Sequence, residues 1–185
     1  MLASTFRSTV AMSMRALLTA VKDVLAERLM LTHWQDIGIH EDGMPPPLMG
    51  QRYVAVHPMG ESPFATFELA TAVAYHFAVT VTWRIAAYPK DWRFANLLGD
   101  VEPFLSKIRH AIDDSYQVLM AANDNIDDME EDEHPQGFIT PPRWLGTDAP
   151  VIQGSDWLLS PSVPQDNAFL VVRMNFGEAK RIFPH

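Results

Sequence analysis

The sequence predicts an α+β fold: a mostly antiparallel sheet with two amphipathic helices packed on one face. Three observations lead there. Between Tyr75 and Ala87 (YHFAVTVTWRIAA) apolar residues fall at every second position, which is the side-chain period of a strand with one buried face. Two other stretches, around Ala11–Leu31 and Asp100–Ala121, place apolar residues at intervals of three and four, the helical period. The order of these elements lacks the regular strand–helix alternation of a parallel sheet.

The strand over 75–87 organises the rest. Tyr75, Phe77, Val79, Val81, Trp83 and Ile85 form its apolar face, while His76, Thr80, Thr82 and Arg84 lie on the wetter one. Such a run spans about 40 Å, more than a small core needs, so it reads as a central strand that runs beyond the core. Pro89-Lys90-Asp91 marks its exit.

In chain order, residues 1–10 read as an irregular N-terminal arm ahead of a single domain over 11–185. The first helix carries Leu17, Val21, Val24, Leu25 and Leu29 on its apolar side, with Ser13 as its N-cap. His33–Gly50 is a connector in which Pro45, Pro46 and Pro47 hold an extended, stiff spacer. Arg52–Pro58 is a short strand and residues 59–66 a turn-rich excursion. Phe67–Thr71 either opens the long strand early or forms a separate short one. Trp92, Arg93 and Phe94 fall in a loop. The second helix runs from an Asp100 N-cap through Pro103 in its first turn, and its stripe of Val101, Phe104, Ile108, Ile112, Tyr116 and Met120 continues to Asn123. An acidic loop over 124–134 follows, then a proline-broken segment of ordered loop or short edge strands. Ala168–Phe176 is the last strand, bounded by Gly177, with 178–185 as a tail.

Composition narrows the function. Hydrophobic residues make up 48% and charged residues 20% of 185, as in ordinary globular proteins. The net charge of −9 comes largely from seven carboxylates between Asp124 and Glu133, and without them the body is near neutral. No basic stripe of the kind that neutralises phosphates is present, which argues against direct nucleic-acid binding. No cysteine is present, which excludes disulfides and thiolate metal sites. No apolar run is long enough to span a membrane. The first 22 residues resemble a transit peptide in composition.

Catalytic signatures are lacking. Neither a phosphate-binding glycine loop nor a helical H-E-x-x-H zinc site occurs, and Gly60-Glu61-Ser62-Pro63 lacks the second glycine of a nucleophile elbow. The acidic loop lacks the central glycine of a calcium-binding EF-hand. No metal or cofactor is expected. Trp92, Arg93, Phe94, Trp144, Arg7 and Arg84 are the candidate interface residues, because tryptophan and arginine concentrate at binding hot spots and loop positions leave Trp92 and Trp144 without an evident core role. Trp83, in phase with Val79 and Val81, reads as core.

The order helix, proline-rich connector, RYVAVHP, HFAVTVTWRIAAYPKD, second helix, then Gly137–Gly146 (GFITPPRWLG) ahead of AFLVVRMNF resembles the tail terminator, or tail completion (neck), proteins of long-tailed bacteriophages. The resemblance implies a non-enzymatic ring, usually hexameric, at the head-proximal end of the tail. That ring ends tail-tube polymerisation and meets both the tail tube protein and the head connector or stopper protein. It also implies assembly in the host cytoplasm, residence in the virion neck, and DNA passing through without specific binding. The departures from the family are residues 1–10 and the acidic loop. Facing a lumen, that loop lets DNA slide; facing outward, it solubilises. The alternatives are another head–tail connector or stopper subunit, a metal-dependent α+β enzyme using His57 and His76, and an adaptor that binds a basic partner through the acidic loop.

Overall fold

A computed structural model describes residues 2–40, 50–66, 70–85, 93–127, 139–149, 151–153 and 169–184. Three helices, α1 (Leu2–Leu29), α2 (Arg93–Asp113) and α3 (Ser115–Asp127), accompany six strands. The strands are β1 (Ile37–Ile39), β2 (Arg52–Thr66), β3 (Ala70–Arg84), β4 (Arg143–Thr147), β5 (Val151–Gln153) and β6 (Phe169–Pro184). They form one sheet in the order β1–β2–β3–β6–β4, with β5 beside β4 on the outer side of β6. Every pairing is antiparallel except β1 with β2. The α+β class and the central position of the long strand therefore stand.

The apolar face of β3 does what its alternation requires. Tyr75, Phe77, Val79, Val81 and Trp83 are buried with Val54 and Val56 of β2 and Val172, Met174 and Phe176 of β6, and the helices cover this face. Trp83 meets Phe104 of α2 edge to face at 5.4 Å between centroids, and Phe77 stacks on Phe176 at 5.3 Å. Each such side chain contributes about 1.5–3 kcal/mol by leaving water. Burial pushes the Tyr75 hydroxyl up to about 12, opposed by the Ser13 hydroxyl and Arg181 close by and reinforced by Glu61.

Several boundaries differ from the sequence expectation. The strand expected over 75–87 begins at Ala70 and ends at Arg84, and Ala86 and Ala87 lie outside the described residues. The strand expected to stop at Pro58 continues to Thr66 through the residues read as a turn-rich excursion. Pro58, Gly60 and Pro63 are tolerated because, among the described residues, only β3 flanks this part of β2, and a proline whose missing N–H points outward costs no ladder bond. The ladder shifts register at Pro58/Gly60 and again at Pro63/Ala65, bulges of the kind that protect an edge. The last strand likewise runs through Gly177 to Pro184, so 178–184 is a full partner of β3 and not a tail. Gly177 is there for close approach: a Cβ would stand 2.5 Å from His76 Nδ1 and 2.7 Å from Leu145 Cδ1.

The helices depart further. Residues 2–10, expected to be an irregular arm, are the first turns of α1. Ser13 is an interior residue, fully buried, and accepts a hydrogen bond from the Arg181 guanidinium; it caps nothing. Ala16, Leu17, Ala20, Val21 and Leu25 are all buried, because α1 has the sheet on one side and α3 along the other, where Asn125 donates to the Ala16 carbonyl at 3.3 Å. The second expected helix is two. The first starts at Arg93, which makes Asp100 and Pro103 interior residues, and the chain breaks at Asp114. The apolar stripe changes phase at the break: Val101, Phe104, Ile108 and Ile112 are buried on α2, then Val118, Ala122 and Ile126 on α3, while Met120 is exposed. Asn123–Asn125 does not end the helix, which runs to Asp127. The remainder of the acidic loop and Pro45–Pro47 lie outside the described residues.

Candidate interaction surfaces

The expected interface residues fall in different places. Trp92 lies outside the described residues; Arg93 and Phe94 belong to the first turn of α2, not to a loop; Arg7 belongs to α1. Arg84 ends β3 and is half-buried, its backbone N–H donating to Gln51 O at 2.8 Å. Trp144 is on edge strand β4, opposite Phe176, 37% exposed, with the Arg109 guanidinium 3.9 Å above its ring. Through the β6–β3 register Trp144 is level with Phe77, about 23 Å along the strand from Arg84. Arg84 and Trp144, the two whose side chains are described, do not share one patch.

A groove of about 560 Å³ surrounds Trp144, with Arg109, Asp113, Arg143, Glu178 and Lys180 in its walls. Its charges are satisfied internally: Arg109 meets Asp113 at 3.2 Å and Arg143 meets Glu178 at 3.4 Å. Leu145 beside it is exposed.

A second groove, of about 460 Å³, lies at the opposite end of the sheet, between the C-terminal end of α1, the start of β2 and α2. Phe104 forms its floor, and Arg28, Arg52, Lys107 and His110 stand around it. The Arg52 guanidinium lies over the Phe104 ring at 4.3 Å and the Trp83 ring at 5.4 Å, a geometry that holds the cation without neutralising it. Arg28 binds Asp114 at 2.6 Å and Gln117 at 2.7 Å across the α2–α3 break. No carboxylate among the described residues pairs with Arg52, Lys107 or His110. Met30, 92% exposed, is on the rim, and Trp34, 86% exposed, follows close in sequence. Both have left-handed backbone, φ 53° and 70°, where the chain turns out of α1 toward β1.

The sequence reading missed this cluster. Arg28, Arg52, Lys107 and His110 are far apart in the chain and no local motif joins them. Trp34 did leave a signal, being a lone large apolar residue among His33, Gln35 and Asp36 just past a helix end.

The face of the sheet away from the helices carries His57 and His76. His57 pairs with Ala78 and His76 with Gly60, so the two share this face. His57 is buried at 3% exposure and its Nε2 meets Thr80 Oγ1 at 3.4 Å. His76 Nε2 meets Ser62 Oγ at 3.3 Å. Nearby, His40 and Tyr53 share a 2.8 Å hydrogen bond. Burial, with Arg173 and His40 adding to it, holds the His57 pKa below its ordinary value. Among the described residues no three His, Asp or Glu side chains converge as metal ligands do, and no helix is long and apolar enough to cross a membrane.

No protein-family model matches the chain, and no curated protein matches it.

Proposed function

We propose that the chain is a structural subunit of a bacteriophage tail neck. In this reading it forms a ring at the head-proximal end of the tail, ends tube polymerisation and joins the tail to the head connector, without catalysing a reaction. The observation that carries the reading is how its exposed apolar residues are distributed. Among the described residues, large hydrophobic side chains reach solvent at several separated places: Met30 and Trp34 past α1, Met120 on α3, Trp144 and Leu145 on the β4 edge, Met59 at the β2 bulge, and Ile182 on β6 opposite Ala72. An enzyme concentrates its special residues in one cleft, whereas a ring subunit meets two neighbours and a layer above and below. Closure by head-to-tail contacts requires two unlike surfaces on each subunit, and the α1 end and the β4 edge are unlike.

The long strands fit the same role. In β2, β3 and β6 they run past Tyr75 as a three-stranded arm. There the outer edge of β2 has no partner strand among the described residues, since β1 pairs only as far as Val56. Val73, Ala179 and Phe183 of this end are core residues, so what it offers a neighbour is the open β2 edge, held rigidly.

The test is the mass of the purified chain by light scattering after size exclusion across a range of concentrations, with negative-stain images, followed by co-sedimentation with assembled tail tubes. Rings of about six subunits that bind tubes are expected. A chain that remains monomeric and ignores tubes overturns the reading; rings that bind connectors but not tubes move it to another neck position.

A further inference from the structure

The groove at the end of α1 gathers positive charge on a protein whose net charge is −9. Three of its cationic or protonatable side chains, Arg52, Lys107 and His110, have no carboxylate partner among the described residues, and its floor is the apolar ring of Phe104. Held charges around an apolar floor, with exposed Met30 on the rim, fit an acidic peptide that also carries an apolar residue. The chain contains one beyond the end of α3: residues 128–134, DMEEDEH, with five carboxylates around Met129.

Within one molecule this segment is tethered at the wrong end. Asn125 of α3 reaches the Ala16 carbonyl, and Ile139, where the described chain resumes, donates to Asn123 Oδ1 at 2.9 Å. Arg28, at the near wall of the groove, is about 18 Å further along α1. Residues 128–138, held near Ala16 at both ends, reach about 20 Å when drawn to full extension. That brings only the tip to the near wall, which is too little to lay carboxylates beside Arg52 and Lys107.

We infer that the groove of Arg28, Arg52, Lys107 and His110 receives the acidic segment 128–134, which follows α3, of a second copy of the chain. The contact joins two unlike surfaces, so repeating it builds a ring; the inference rests on the ring reading and gives that ring its interface. It also assigns the acidic segment a use, the neutralisation of a neighbour's groove. The contact is salt-sensitive, because most of its attraction is between groups near the surface.

Two measurements separate this inference from the ring reading itself. The first uses a labelled peptide of residues 128–134 and the full chain with its own segment neutralised (Asp128→Asn, Glu130→Gln, Glu131→Gln, Asp132→Asn, Glu133→Gln), so that the grooves are free. The peptide should bind, and Lys107→Glu, at an exposed position that leaves the fold intact, should weaken binding by about tenfold or more. The second reads assembly by light scattering. The neutralised chain should remain monomeric where the parent chain forms rings. Lys107→Glu should also block assembly, and combining it with Glu130→Lys and Glu131→Lys should restore it. Peptide binding unaffected by Lys107→Glu, or no binding, overturns the inference, as do rings formed by the neutralised chain. A DNA oligonucleotide that occupies the groove while the peptide does not would also overturn it and make the groove a nucleic-acid contact. A parent chain that stays monomeric while the peptide binds through Lys107 sinks the ring reading and leaves the groove's preference for this segment in place.

Discussion

His57 shows how a single residue records the environment the fold builds around it. Its ring is buried on the sheet face away from the helices, with Thr80 at 3.4 Å and the charge of Arg173 nearby. Burial first, then Arg173 and His40, favour the neutral ring, so its pKa in the folded chain lies below the ordinary 6.5. The unfolded chain then binds more protons than the folded one once the pH drops below about 6.5, and stability falls with pH in that window. Replacing His57 with Gln keeps a polar group near Thr80 and removes the titration. The expected outcome, from urea denaturation at a series of pH values, is a shallower loss of stability between about pH 7 and pH 5 in the variant. An unchanged slope would mean that other groups carry the acid sensitivity. The sequence places His57 on a strand, but alternation only distinguishes two faces and does not reveal that the one away from the helices is buried at this point.

At the scale of elements, α2 carries residues poorly suited to a helix interior. Pro103 lies ten residues into a helix that starts at Arg93, where it removes a backbone donor and crowds the preceding turn. Gly99, one turn earlier in the same helix, adds backbone freedom lost on folding. Pro103 is exposed, so replacing it with Ala gives up no packing and should stabilise the chain by about 1–3 kcal/mol, seen as a higher urea midpoint. The same proline misled the sequence reading. With Asp100 before it, Pro103 has the look of a helix start, and the real start at Arg93 lacks a comparable signal. Prolines and glycines accounted for the misplaced ends of β2 and β6: Pro58, Gly60 and Pro63 argued for a turn where an edge strand tolerates them, and Gly177 argued for an end where a close approach of His76 requires it. Strand interiors were legible, since period-two alternation over 75–83 leaves little choice of face. The split of the second helix was not, because apolar spacing stays helical on both sides of Asp114 and only the phase changes. The groove was beyond reach for a different reason: its members come from α1, β2 and α2, and their meeting is a product of packing.

Across the whole molecule, the sheet is graded from a doubly flanked centre to short edges. β3 is hydrogen-bonded to β2 and β6 along nearly all of its length, whereas β1, β4 and β5 contribute three to five residues each. Hydrogen exchange followed by mass spectrometry should find β3 amides protected longest and those of β1, β4 and β5 released first. Equal protection across the sheet would contradict the strand order. Charge is graded as well, with a near-neutral body, an acidic stretch from the end of α3 onward and, in the groove at the far end of α1, Arg52 and Lys107 with no carboxylate partner among the described residues. The strand order has one more consequence, for the chain as it leaves the ribosome. β2 and β3 are neighbours in sequence and pair at once, but β6 follows about 85 residues later, several seconds of synthesis at ~5–20 residues per second. Throughout that interval the nascent hairpin shows an open, largely apolar strand edge to its surroundings, and every neighbouring nascent chain of the same kind shows it too. Correct folding therefore depends on delay: the hairpin must be shielded from its siblings until its own last strand arrives.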